Sequence, residues 1–210
     1  MMSRGIHQHS MSPARSRALL AATLVAATAF VSAPTSSPAT PVVRAGSAPA
    51  AGPWIEADLS ERKLTIHIGN DDVATYSVAV GRGSYATPTG NYTIRKIVWN
   101  PAWVPPDSKW AKGKHAQPPG AEANPMKVVK IFFKDPDYYI HGTNDPASLG
   151  KAESHGCLRM DPDDAYDVAR YLMQNGGSPQ DESWFWRVLH FRSETKTVYL
   201  GNPVPMVVKP

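Results

Sequence analysis

A single cysteine, Cys157, in a chain of 210 residues sets the terms on which this protein can fold. No intrachain disulfide can staple it and no thiolate-rich cage can hold a structural zinc, so stability has to come from an apolar core. The cysteine lies in Ser154-His155-Gly156-Cys157-Leu158-Arg159, downstream of His141-Gly142-Thr143. Two histidines and a glycine make a poor apolar core. They do supply what an activated thiol needs: a base, an orienting hydrogen bond, and backbone that a substrate can approach closely. The competing reading is a buried cysteine acting as a small hydrophobe.

The amino-terminal quarter bears on where the thiol works. Arg4, Arg15 and Arg17 precede an uncharged, small-residue run from Ala18 to Ala33. This has the form of a secretory signal, and it is short of the roughly 20 apolar residues that span a bilayer comfortably. Residues 1–33 are therefore expected to be a signal peptide or an amino-terminal membrane anchor. Residues 34–53, nearly all Pro, Ala, Ser, Thr and Gly, are expected to be an extended linker. Export strengthens the case for a working thiol, since an unpaired cysteine in an oxidising compartment is a liability unless it is used. The net charge of +4 resides in Arg4, Arg15, Arg17 and Arg44, so residues 46–210 carry equal numbers of acidic and basic side chains. Such a domain has no global field to attract nucleic acid, and none is expected as a partner.

The rest suits one domain with its own core. Trp54 to Asp58 and Lys63 to Ile68 alternate at period two around a polar turn, a hairpin signal. Val73 to Val80, Tyr92 to Val98, Val128 to Phe133 and Tyr138 to His141 are further expected strands, which leaves His141 at a strand end. One segment reads as a helix. Asp161 is a suitable N-cap, Pro162 fits the first turn, and Ala165, Val168, Ala169, Leu172 and Met173 share a face until Asn175-Gly176-Gly177. Asn100 to Pro125 holds six prolines with Trp103 and Trp110 and has no period; a loop of this length is usually functional.

The string HGTNDPASLGKAESHGCLRM, together with Thr87-Pro88-Thr89-Gly90-Asn91-Tyr92, resembles the signature of the L,D-transpeptidases, the YkuD-type cell-wall cysteine enzymes. The resemblance covers Trp54 to about Leu200, with 201–210 left as a carboxy-terminal tail. It implies a mainly β fold, a YkuD-type β-sandwich with one capping helix and a long proline-rich lid loop over the donor site. The implied activity is peptidoglycan transpeptidation: the thiol forms a thioester with a donor stem tetrapeptide and passes it to an amine. The partners would be stem peptides, the location the periplasm or cell wall, the state a monomer, and carbapenems should acylate the thiol. No cofactor or metal is expected.

Within this frame Cys157 is the nucleophile. His141, able to approach from a neighbouring strand, is the general base, while His155, two residues before the cysteine in a tight turn, orders the loop or serves as a secondary relay. The Gly156 amide, unshielded by a side chain, is a candidate oxyanion-hole donor alongside that of Cys157. Arg159 suits capture of a donor carboxylate, with a surface ion pair to Asp161 or Asp163 as the alternative. Ser154, Tyr139 and Trp103 complete the expected substrate-binding set. The same dyad would serve an L,D-carboxypeptidase or a cysteine peptidase cutting wall peptides. A wall-binding module without activity, or a metal site built from His141, His155 and Cys157, stands as the non-catalytic alternative.

Overall fold

The computed structural model describes residues 52–210. The expected signal or anchor, and the linker up to residue 51, lie outside them. In chain order the elements are β1 (Pro53–Asp58), β2 (Lys63–Ile68), β3 (Asp71–Ser77), β4 (Val80–Gly81), β5 (Gly90–Trp99), β6 (Lys127–Lys134), β7 (Tyr138–Gly142), β8 (Ala152–Ser154), β9 (Leu158–Met160), α1 (Pro162–Asn175), α2 (Glu182–His190) and β10 (Lys196–Lys209). Eight strands form one sheet in the order β3-β2-β1-β10-β5-β6-β7-β9, and β4 and β8 form a second, small one.

The period-two pattern explains the register. Ile55 pairs with Ile66 and Ala57 with Leu64, and all four side chains are buried, so a one-residue slip would turn the hairpin's apolar face to water. The fold is mainly β, as expected, with α1 where the capping signals place it: the Asp161 carboxylate accepts from the Asp163 amide. Its buried face of Ala165, Val168, Ala169, Leu172 and Met173 packs on β6 and β7. Trp99 anchors this layer, fully buried, with its indole N–H directed at Met173 Sδ at 3.2 Å.

Three expectations are corrected. Residues 201–210 are not a tail: β10 runs to Lys209 between β1 and β5, and Val204, Met206 and Val208 are core residues. Gly201-Asn202-Pro203 and Pro205 hid this strand, because proline lacks a ladder donor; a register shift between Tyr199 and Val204 absorbs the first three, and Pro205 pairs in register with Thr93. The expected strand Val73 to Val80 is broken, since β3 ends at Ser77 and β4 belongs to the small sheet. A second helix, α2, accompanies α1. At nine residues with only Phe185 and Val188 buried it is too short to show a period, although Asp181 caps it by accepting from the Trp184 amide at 2.7 Å. Among the described residues no helix is long and apolar enough to cross a membrane.

Candidate active site

Parallel pairing of β7 with β9 brings the two halves of the motif together: Ile140 lies beside Leu158 and His141 beside Arg159. Parallel neighbours need a crossover connection. Here it is the segment from Thr143 to Cys157, so the thiol emerges just before β9 and next to the strand carrying His141. Gly142 lets the end of β7 close on β6, since a Cβ there would lie 2.5 Å from the Lys127 carbonyl oxygen. Thr143 closes the turn, accepting from the Asp145 amide at 3.1 Å.

Ser154 ties the turn before Cys157. Its Oγ donates to the Cys157 carbonyl at 2.5 Å and accepts from the Gly156 amide at 3.1 Å. The side chain is buried and forms the turn at the cavity wall. The Gly156 amide is thereby occupied, and its expected role as an oxyanion donor is corrected. Glycine is still required, because φ is +108° and a Cβ would lie 2.9 Å from the Tyr138 ring. Gly156→Ala is expected to cost about 1–3 kcal/mol of stability and to displace the thiol, measurable as a lower melting temperature with slowed alkylation. Thr87, from the second motif, accepts from the Gly81 amide at 2.9 Å, and Gly81 pairs with Ser154 across β4 and β8. That motif therefore supports the turn from behind.

Cys157 and His141 line one cavity of about 900 Å³, without a direct hydrogen bond among the described contacts. The thiol donates to the Asp137 carbonyl at 3.5 Å. Burial pushes its pKa up to about 11, against opposing hydrogen bonds from the Tyr139 amide and hydroxyl and the charges of Lys130 and Arg159. Imidazole Nδ1 of His141 donates to the Gly142 carbonyl at 2.8 Å, which leaves Nε2 with the free lone pair. Burial depresses the His141 pKa to about 4, helped by Arg159 and Lys130 and opposed by the Gly142 and Pro125 carbonyls. At neutral pH both groups are therefore uncharged, the state in which an imidazole can accept a proton and a thiol can give one up.

This neutrality has a consequence for stability. Unfolded, His141 takes up a proton below about 6.5; folded, it resists until about 4. The unfolded state binds more protons in that window, so its share of stability is present above pH 6.5 and is lost as pH falls toward 4. Melting curves should show a steeper loss from pH 6.5 to 4 in the wild type than in His141→Gln.

The remaining expected residues fall around this pair. Tyr139 lies in the cavity with its ring edge-on to His141 at 5.6 Å. Burial raises its phenol pKa, and contact with Cys157 adds to the effect. Trp103 is buried in the cavity wall and pairs with Gln117 through two backbone bonds of 2.9 and 2.8 Å. The proline-rich loop thus walls the site, organised by such cross-links and by Asn124, whose amide donates to the Pro101 and Pro118 carbonyls. His155 stacks on Trp110 at 4.0 Å and meets Tyr85 edge-on at 5.0 Å, which fits loop ordering. Arg159 pairs with Asp145 at 3.4 Å, not with Asp161 or Asp163, and the long single contact leaves most of its guanidinium for a ligand. Among the described residues no three His, Cys, Asp or Glu side chains gather as metal ligands. Sequence reasoning missed Lys130, Trp110 as the partner of His155, and Asp145.

Residues 52–204 match the family model for the L,D-transpeptidase catalytic domain. The chain is 31% identical over 122 residues to a Bacillus subtilis protein, YkuD, whose name assigns it to the L,D-transpeptidases; the match covers 58% of this chain and 61% of that one. It is 32% identical over 130 residues to YqjB of the same organism, similarly named, covering 59% of this chain and 69% of that one. The chain thus spans less than two thirds of YkuD. A solved L,D-transpeptidase from Mycobacterium smegmatis superposes with a TM-score of 0.48 at 17% identity, over 76% of this chain and 59% of that one.

Proposed function

The chain belongs to the L,D-transpeptidase catalytic-domain family, and from that premise we propose that it is an exported, monomeric acyltransferase of the bacterial cell wall. Cys157 attacks the carbonyl of a donor stem tetrapeptide as His141 Nε2 removes the thiol proton. The amine of the last residue leaves with that proton, and a thioester remains on the sulfur. A second amine, from another stem or an envelope protein, then attacks the thioester and regenerates the thiol. With the Gly156 amide engaged, the Cys157 N–H takes the oxyanion role. Arg159 holds a donor carboxylate.

The observation that carries this reading is the convergence of Cys157, His141 and Arg159 in one cavity walled by the proline-rich loop. Incubating the protein with a disaccharide tetrapeptide and weighing the products tests it. A cross-linked dimer with release of the terminal amino acid is the expected result. Trimmed monomer alone would identify a carboxypeptidase with water as acceptor, and cleavage elsewhere in the peptide a cysteine peptidase.

A further inference from the structure

Lys130 is a cation that the reaction described above does not use. It lies on β6 opposite His141, and it lines the same cavity as Cys157. Its ammonium is 4.8 Å from the centre of the Tyr139 ring and donates to the Ala102 carbonyl at 3.3 Å. A half-buried lysine head on a cavity wall is better satisfied by a carboxylate than by a lone carbonyl. The nearby acids do not supply one: Asp135 is bound by Lys96 at 2.5 Å, Asp145 pairs with Arg159, and no ion pair joins Asp137 to Lys130. Burial lowers the lysine pKa, and the thiolate form of Cys157 would raise it. A half-buried cation on the wall of the cavity that holds Cys157, with a carbonyl and an aromatic face as its partners, is complementary to an anion brought by the substrate.

We propose that Lys130 is a receptor for a carboxylate of the acyl donor, held beside the sulfur, so that the site selects donors with an anionic group next to the reacting carbonyl. This rests on the acyl-transfer reading. It deepens that reading by assigning donor recognition to Lys130 as well as Arg159, on opposite sides of the thiol's neighbour His141. Asp137 and Asp145 set the limit of the effect, since both face the cavity and oppose it, while Arg82 and Lys114 reinforce it from the His155 side.

Cys157 is the only thiol, so alkylation reports on this site alone. The test compares, on the full chain at pH 8, the rate with iodoacetate against that with iodoacetamide. Both reagents sample the same thiolate, so the ratio cancels the thiol pKa and reads carboxylate preference at the sulfur. No wall substrate is needed; loss of transfer with stem peptides would leave this ratio untouched, and the two readings fail separately. Lys130→Gln is expected to lower the ratio about fivefold or more, Lys130→Arg to keep most of it, and Lys134→Gln, the same charge change on the same strand outside the cavity, to leave it alone. A lysine that merely braces the Ala102 carbonyl would move both rates together. An unchanged ratio in Lys130→Gln, or a ratio carried wholly by Arg159→Gln, overturns the proposal. If Lys130→Gln does not fold, the wild-type ratio is followed with added salt, which must lower it; a salt-independent ratio is equally fatal.

Discussion

Replacing Cys157 with alanine is expected to abolish acyl transfer, a loss of about 10⁴-fold or more, while shifting stability by roughly 1 kcal/mol. The two halves have separate causes. In the proposed reaction the acyl group is carried on the sulfur, which alanine lacks. The sulfur's ties to the fold are a 3.5 Å hydrogen bond to the Asp137 carbonyl and contacts with Tyr139, whereas the turn that holds it is secured by Ser154 and the backbone. Assays of dimer formation and thermal unfolding on one preparation check both. Residual transfer near the wild-type rate would remove the sulfur from the mechanism, and a large drop in melting temperature would return Cys157 to the role of a packed hydrophobe.

His141→Ala is expected to slow acylation by about 10²–10⁴-fold, and His155→Ala by far less. With the thiol pKa near 11, the spontaneous thiolate at pH 7 is about one part in 10⁴. A neutral imidazole that takes the proton during attack spares the sulfur from having to ionise beforehand, and that route is what His141→Ala removes. His155 has no comparable opportunity, because its ring is stacked on Trp110 and flanked by Tyr85; its loss should loosen the loop rather than remove a base. Single-turnover acylation of the two variants decides between them. Should His155→Ala be the slower by tenfold, about 1.4 kcal/mol of barrier, the base has to be reassigned.

The chemistry was more legible than its surroundings. The proposed nucleophile Cys157, its proposed base His141 and the glycine between sheet and turn are concentrated in two short strings, and parallel pairing of β7 and β9 brings the strings together. Alternation in β1 and β2 and the capped face of α1 were legible because burial on one face imposes a period. The strand β10 was not, since prolines and a register shift broke its period while the sheet kept its place. Lys130 was invisible for a different reason. Its chain neighbours are ordinary strand residues, and its importance arises only from the cross-strand partner His141 and the loop above. The Gly156 amide was misassigned because an absent side chain says nothing about which hydroxyl will occupy the N–H.

Intact-protein mass spectrometry after exposure to a donor is the most direct test of an acyl-enzyme on Cys157. A carbapenem, with a strained electrophilic carbonyl beside a carboxylate, serves as the donor most readily trapped. The expected result is a single adduct of one reagent mass, mapped by digestion to the peptide containing Cys157 and absent from Cys157→Ala. An adduct that persists in Cys157→Ala, or one mapped to another residue of the wild-type chain, would contradict the assignment of the nucleophile and the mechanism built on it.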